Sequence, residues 1–343
     1  MARSIPLVAI RADGSAQIGL GHVTRCLSLA EALVAQGLNV ELVSGPLPKD
    51  VAAWALSVGV STRRVTAARG GIDDAVELMR TTPDLVVVDG YGFGIDFFAT
   101  LVELGCPHAV VDDNLETDAS APIMVVNQNP SADARMYGKL EERPRLLLGL
   151  DYALLRNEIR QMRPRHPEAR TDPTVLVSLG GSDPSELTET IVRVLVNGGV
   201  RSVRVAVGAA NPRRQILVSE IEELGAEVID PRHFARELQS TDLAVIGAGS
   251  TMWEAAYLGI PTVAVVHASN QVAPAAAAQH LGFLCTVEGC SPDGATRVAD
   301  LVHCLLADDL VRTNMSSLGR DHVDGLGADR VAAAVISILD DVA

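Results

Sequence analysis

The sequence predicts an α/β protein built from two Rossmann-like domains with parallel sheets facing a cleft. Two observations carry this reading. Short apolar runs alternate with longer amphipathic ones along all 343 residues, which is the pattern of βα units. The alternation is interrupted once, by a charged stretch with three prolines. Runs such as "LVVVD", apolar at consecutive positions, fit strands covered on both faces, as parallel sheets require.

In order along the first half, the expected strands are "LVAIR", "NVELVS", "DLVVVDG", "HAVVDD", "IMVVN" and "RLLLG", with helices between most of them. The stretch "RNEIRQMRPRHPEARTDP" has clustered charge and little apolar periodicity, so it reads as a linker. A second series follows, with "TVLVSLGG", "SVRVAVG", "AEVID", "LAVIGAG" and "TVAVVH" as strands. The expected boundaries are residues 1–156 for the first domain, 157–173 for the linker and 174–343 for the second. The closing segment "GADRVAAAVISILDDV" has helical apolar spacing and is placed with the second domain as a terminal helix.

Composition narrows the function. Lys and Arg number 28 against 43 Asp and Glu, a formal charge of −15, which disfavours nucleic acid as a partner. Any anionic ligand must be held locally. The start, "MARSIPLVAIRAD", is too short and too interrupted for a signal peptide or a membrane span, and no later run is long enough to span. Five cysteines without a C-x-x-C pair suggest reduced thiols and a cytoplasmic protein, not a disulfide framework or a zinc site.

Each informative motif sits where a strand hands over to a helix. After "LVAIR" comes "ADGSAQIGLGH", and a helix is expected from about His22 to a terminating Gly37. Gly19 and Gly21 permit tight turns and close approach of a ligand, and the helix start attracts anions and favours a neutral imidazole at His22. His22 is then a general base, or else a capping or packing histidine. In "SLGGSDPSEL", Gly180, Gly181 and Ser182 form a diphosphate cradle before a helix capped by Asp183 with Pro184 first, or simply an ordinary helix start. In "VIGAGSTMWEAAYLGIP", Gly249, Ser250 and Thr251 suit a pyrophosphate. Glu254 suits ribose hydroxyls, or it closes a capping box on Thr251. Asn270 and Gln271 open another helix as phosphate or sugar contacts, or as caps. Tyr91, just past a strand, either reaches the cleft or is structural. Adjacent Asp112 and Asp113 point in opposite directions, so at most one faces the site. The chain has no D-x-D triplet of the kind that holds a metal on a diphosphate, so no metal and no cofactor is expected.

The strings "RADGSAQIGLGHVTRCLSLAEAL", "VVDGYG", "LGLDYALLRNE", "SLGGSDP" and "GAGSTMWEAAYLGIP…NQ" stand in the order seen in the PseG/SpsG family. That family includes nucleotide-sugar hydrolases of pseudaminic acid biosynthesis and falls in the GT-B superfamily together with MurG. The resemblance implies a GT-B fold, with the nucleotide on the second domain and the sugar on the first. It implies metal-independent, inverting attack at the anomeric carbon of a UDP-linked sugar, by water in a hydrolase or by a small-molecule or glycan acceptor in a transferase. A nucleotide-sugar binding module without catalysis is the third class. Carried onto this chain, His22 is the base, with Asp13 and Tyr91 beside it as catalytic candidates. Arg25 and Asn129 join the glycine loops as binding candidates. Gly90 stands where the pseudaminic enzyme has a histidine.

Overall fold

The computed structural model describes residues 5–15, 19–113, 120–140, 143–164, 172–180, 183, 187–208 and 211–342. Two compact units emerge, one of residues 1–157 with 325–343 and one of 158–324. No described helix is long and apolar enough to cross a membrane.

The first unit runs β1 (Leu7–Ala12), α1 (Gly21–Ala35), β2 (Asn39–Ser44), α2 (Lys49–Ser57), β3 (Ser61–Arg64), α3 (Ile72–Leu78), β4 (Leu85–Asp89), α4 (Ile95–Glu103), β5 (His108–Val111), β6 (Met124–Asn127) and β7 (Arg145–Leu148). Its seven strands are all parallel, in the order β3-β2-β1-β4-β5-β6-β7. Alternate side chains serve opposite faces, as the pleat dictates. Val8 and Ile10 of β1 join α1 and α2, whereas Ala9 joins Phe97, Phe98 and Leu101 of α4. Helix α1 ends as expected, with Gly37 at φ +87° just beyond its cap.

After a short helix α5 (Asn157–Arg160), the second unit runs β8 (Thr174–Ser178), α6 (Leu187–Asn197), β9 (Ser202–Ala206), α7 (Arg214–Glu223), β10 (Glu227–Ile229) and α8 (Phe234–Ser240). It continues with β11 (Leu243–Gly247), α9 (Thr251–Leu258), β12 (Thr262–Val266), α10 (Ser269–His280), β13 (Leu284–Glu288), α11 (Gly294–Ala307) and α12 (Asp309–His322). The order β10-β9-β8-β11-β12-β13 repeats the first unit's arrangement, again all parallel. In such sheets the strand order reverses beside the first strand, here between β1 and β4 and between β8 and β11. Ligands bind beyond the carboxyl ends at that reversal.

Three elements depart from the sequence expectation. Edge strands β3 and β13 were not anticipated. The terminal helix α13 (Gly327–Val342) belongs to the first unit, not the second. Its apolar stripe of Ala328, Val331, Ala332 and Val335 enters the core shared by α1 and β1. Its start lies so close to the 150–153 turn that a Cβ at Gly327 would meet the Ala153 carbonyl oxygen at 2.3 Å.

Candidate active site

The chain leaves β1 through a loop closed by a bridge between Ser15 and Gly19, in which the Ser15 N–H donates to the Gly19 carbonyl oxygen at 3.1 Å. Gly19 sits at φ +78°, a conformation that favours glycine, and the space around the Cβ positions of Gly19 and Gly21 is open to 4 Å. Helix α1 begins at Gly21 with Leu20 as N-cap and no side-chain capping bond. Its first amides therefore have no side-chain acceptor from the cap.

His22, Arg25 and Cys26, spaced i, i+3, i+4, share one face of α1. That face meets Asp89, the last residue of β4, which the register sets beside Ala12 at the end of β1. Asp89 is wholly buried. His22 Nδ1 lies 2.8 Å from its Oδ1, and Arg25 donates to both its oxygens, from Nη2 at 2.6 Å and from Nε at 2.7 Å. Cys26 Sγ donates to Oδ2 at 3.2 Å. Burial alone would push the Asp89 carboxyl up, but Arg25 and His22 hold it well below the usual carboxylate range. A carboxylate only accepts, so the proton on the ring nitrogen facing it sits on Nδ1. Arg25 Nη2, although 3.2 Å from Nδ1, spends its two hydrogens on Asp89 and on Asp113 at 3.0 Å. In the neutral imidazole the lone pair is then on Nε2, the arrangement of an orienting carboxylate behind a histidine base.

A second acidic group closes the cluster. Asp113 accepts from Arg25 Nη1 at 2.7 Å, from Asn129 Nδ2 at 3.0 Å and from the Tyr91 hydroxyl at 3.2 Å. The Tyr91 ring stands edge-on to His22, centroids 4.8 Å apart at 88°. Asp112 turns away, as adjacent residues do, and accepts from the buried Tyr137 hydroxyl at 2.9 Å. Arg25 thus lies between two carboxylates; burial costs it charge, but Asp113 and Asp89 outweigh that and raise its pKa further. The structure therefore brings together His22, Arg25, Tyr91 and Asn129.

Asp13 is placed differently from the sequence expectation. Its Oδ1 accepts from Arg11 Nη1 and from the Gly45 amide, each at 2.7 Å, and from Ser44 Oγ at 3.2 Å. These donors gather on Oδ1 and tie Asp13 into an ion-pair network with Arg11 and Asp74, and its hydrogen bonds run to Arg11, Ser44 and Gly45 and not to His22.

In the second unit, Gly180 sits at φ +96°, and none of the described residues comes within 4 Å of its Cβ position. Gly181, Ser182 and Pro184 lie outside the described residues. Asp183 accepts hydrogen bonds from the following helix. At φ +41° it accepts from the amides of Leu187 and Thr188 at 3.3 and 3.1 Å and from Thr188 Oγ1 at 2.6 Å. Beyond β11, Gly249 has open space at its Cβ position. Ser250, not Thr251, is the N-cap of α9, and it makes no side-chain capping bond. Glu254 therefore stands one position past the place a capping-box partner would hold, and it is buried. Asn270 is the second residue of α10. Gln271 turns back instead of facing outward: its Oε1 accepts from the His267 amide at 2.9 Å and its Nε2 lies 3.3 Å from His267 Nε2. The same helix start, with the ends of β12 and β13, borders a cavity of about 460 Å³ that includes His267, Ser269, Val272 and Glu288.

Asp89 and Asp113 are the functional candidates that motif reading passed over or left open. Asp89 ends an apolar strand and opens the "DGYG" turn, and an ionisable residue there is a signal that the strand's carboxyl end is in use.

Seven parallel strands and six, each in the doubly wound order, make the fold GT-B. Solved structures agree: a putative UDP-N-acetylglucosamine 2-epimerase from Listeria monocytogenes superposes with a TM-score of 0.72 at 13% identity over 99% of this chain and 98% of its own. Acinetobacter baumannii MurG superposes with 0.63 at 16% identity over 97% and 99%. An MnaA–UDP complex from Staphylococcus aureus superposes with 0.70 at 12% identity over 98% and 97%. No protein-family profile matches the chain, but curated sequences do. The uncharacterized protein MJ1062 of Methanocaldococcus jannaschii is 28% identical over 271 residues, 75% of this chain, which spans 54% of that relative. A UDP-2,4-diacetamido-2,4,6-trideoxy-beta-L-altropyranose hydrolase from Campylobacter jejuni is 25% identical over 270 residues, 77% of this chain and 93% of its own length. The Bacillus subtilis spore coat polysaccharide biosynthesis protein SpsG is 24% identical over 95% of this chain and 96% of its own. Within the GT-B class, the chain is similar in sequence to the altropyranose hydrolase and to SpsG.

Proposed function

We propose that this chain cleaves the anomeric C1–O bond of a UDP-linked sugar, with water as the attacking group. The observation that carries the reading is the Asp89–His22 pair, which fixes the tautomer and aims a base from the start of α1. His22 Nε2 takes a proton from water as the water oxygen forms a bond to C1. The C1–O bond breaks on the opposite face, the nucleoside diphosphate leaves with the electron pair, and configuration inverts. The imidazolium so formed is stabilised by ionised Asp89, which Arg25 keeps from taking a proton itself. The leaving diphosphate falls to the amides at Gly180 and at Gly249–Thr251, an electrostatic role for helix starts that needs no cation. Glu254 is assigned to the ribose. Similarity to a hydrolase of a UDP-sugar over 93% of that enzyme's length supports this choice of substrate class. The compartment in this reading is the cytoplasm.

The test pairs calorimetric titration of UDP with UDP release from a panel of UDP-sugars. The expected result is UDP binding by both wild type and His22→Ala with Kd within about threefold, and a loss of turnover in the variant of about two to four orders of magnitude. Absence of UDP binding, or a variant that keeps its turnover, refutes the reading.

A further inference from the structure

We propose that Arg69 anchors a carboxylate carried by the substrate, either on the transferred sugar or on a second, acceptor molecule. This rests on the nucleotide-sugar reading and specifies what the first unit recognises. Arg69 follows β3 in a turn that packs backbone to backbone against the glycine-rich turn after β4. Gly70 sits at φ +80°, and a Cβ there would lie 1.9 Å from the Gly92 carbonyl oxygen. The Gly94 amide donates to the Gly70 oxygen at 3.3 Å, and the Gly70 amide donates to Asp74 at 2.9 Å. Asp74 is itself held by buried Arg11, whose guanidinium lies 5.2 Å from the Phe93 ring centroid. A buried ion pair therefore fixes both turns. It does so next to Tyr91, whose ring faces His22.

Against that rigid base, the Arg69 fork is unspent. Its side chain is one-third exposed, and its nearest acid is Asp13, with Nη1 3.8 Å from Oδ2. Among the described residues its guanidinium makes no hydrogen bond. Asp13 satisfies its other oxygen with Arg11, Ser44 and Gly45, so it steadies Arg69 without occupying the donors. The Arg69 Nε and Nη2 atoms lie 3.7 Å from the Cβ position of Gly92, directly beside Tyr91. In a chain of net charge −15, an arginine with free donors, on a turn packed against the turn that carries Tyr91, is a local recognition point for an anion. Its planar fork matches two coplanar oxygens, and one cation close to Asp13 balances a monoanion better than a phosphate dianion. A carboxylate fits both conditions.

The experiment measures affinities by calorimetry for wild type, Arg69→Gln and Arg69→Lys, with melting temperature as the folding control. One arm compares UDP-glucuronate with UDP-glucose, placing the carboxylate on the sugar. The other compares free glucuronate, glucose and glucose 6-phosphate in the presence of saturating UDP, placing the anion on the acceptor. Wild type is expected to favour the carboxylate over its neutral partner by about ten- to hundredfold in one arm. In Arg69→Gln the ratio falls to within about threefold of one while the Kd for UDP itself stays constant, and Arg69→Lys recovers part of it. The inference is overturned if wild type binds UDP but shows no carboxylate preference in either arm, if Arg69→Gln keeps the preference, or if glucose 6-phosphate binds better than glucuronate. A wild type that fails to bind UDP overturns the nucleotide-sugar reading, and this inference with it.

Discussion

Replacing Asp89 by Asn keeps the size of the side chain and removes one charge, and the geometry says what must follow. Oδ1 accepts from His22 Nδ1 and Arg25 Nη2, and Oδ2 accepts from Arg25 Nε and Cys26 Sγ. Whichever way the amide turns, its NH₂ meets at least one cationic donor. If it faces His22, the imidazole flips its proton to Nε2 and loses the lone pair that activates water. If it faces Arg25 Nε, a buried guanidinium loses a partner and the imidazolium formed in turnover loses a full negative charge. In a serine-type triad the same exchange lowers turnover by about 10⁴. For a single attack by water we expect about 10³ to 10⁴, or roughly 4 to 5.5 kcal/mol of barrier. Removing one partner from a buried ion pair also costs stability, about 3 kcal/mol, with Asp113 still holding Arg25. The assay is UDP release at saturating donor alongside UDP titration and chemical denaturation. The Kd for UDP should remain within about threefold, because the diphosphate and ribose contacts are assigned to the second unit. A folded Asp89→Asn protein with turnover near wild type shows that the pair does not orient the base.

Two further outcomes follow from the same geometry. Folded-state pKa values of Asp89, Asp113 and Asp13 all lie below their ordinary values, since Arg25 or Arg11 outweighs the cost of burial. Their stabilisation is therefore fully present above the unfolded range near pH 4 and is lost as pH falls through the lower folded values; denaturation midpoints between pH 7 and 3 should drop more steeply in wild type than in Asp89→Asn, and equal slopes contradict it. Glu254→Gln, buried but outside a capping box, should weaken UDP binding by about tenfold while the melting temperature moves little; the reverse pattern assigns Glu254 to the fold.

The parallel sheets were legible because their central strands are covered on both faces, and such strands show as unbroken apolar runs. β3 is "STRR", with three of its four residues exposed, and β13 is "LCTVE", with an exposed Glu288 at its end. Both are edges whose polar residues interrupt the apolar pattern, whereas the opposite edges, β7 and β10, show in the sequence as "RLLLG" and "AEVID". The spacing of the terminal helix gave its apolar stripe but not its partner, since an amphipathic face fits any complementary core. At the site, His22 and Tyr91 were legible from the turn in which each stands. Asp89 showed only as an ionisable residue at the end of an apolar strand; its pairing with His22, 67 residues away in sequence, comes from the register that brings β4 beside β1. Asp13 shows the converse: the family resemblance made it a catalytic candidate, while its bonds to Gly45 and Ser44 come from a strand that the sequence alone does not place beside it.

The most direct test of the cleavage chemistry is turnover of a UDP-sugar panel in ¹⁸O-labelled water with no acceptor present. If the His22–Asp89 pair activates water for attack at C1, the products are UDP without label and free sugar carrying one ¹⁸O at an inverted anomeric centre, formed over many turnovers. Label in the UDP phosphate would place the break at P–O instead, and release that stays negligible until a second small molecule is supplied would make that molecule, not water, the nucleophile.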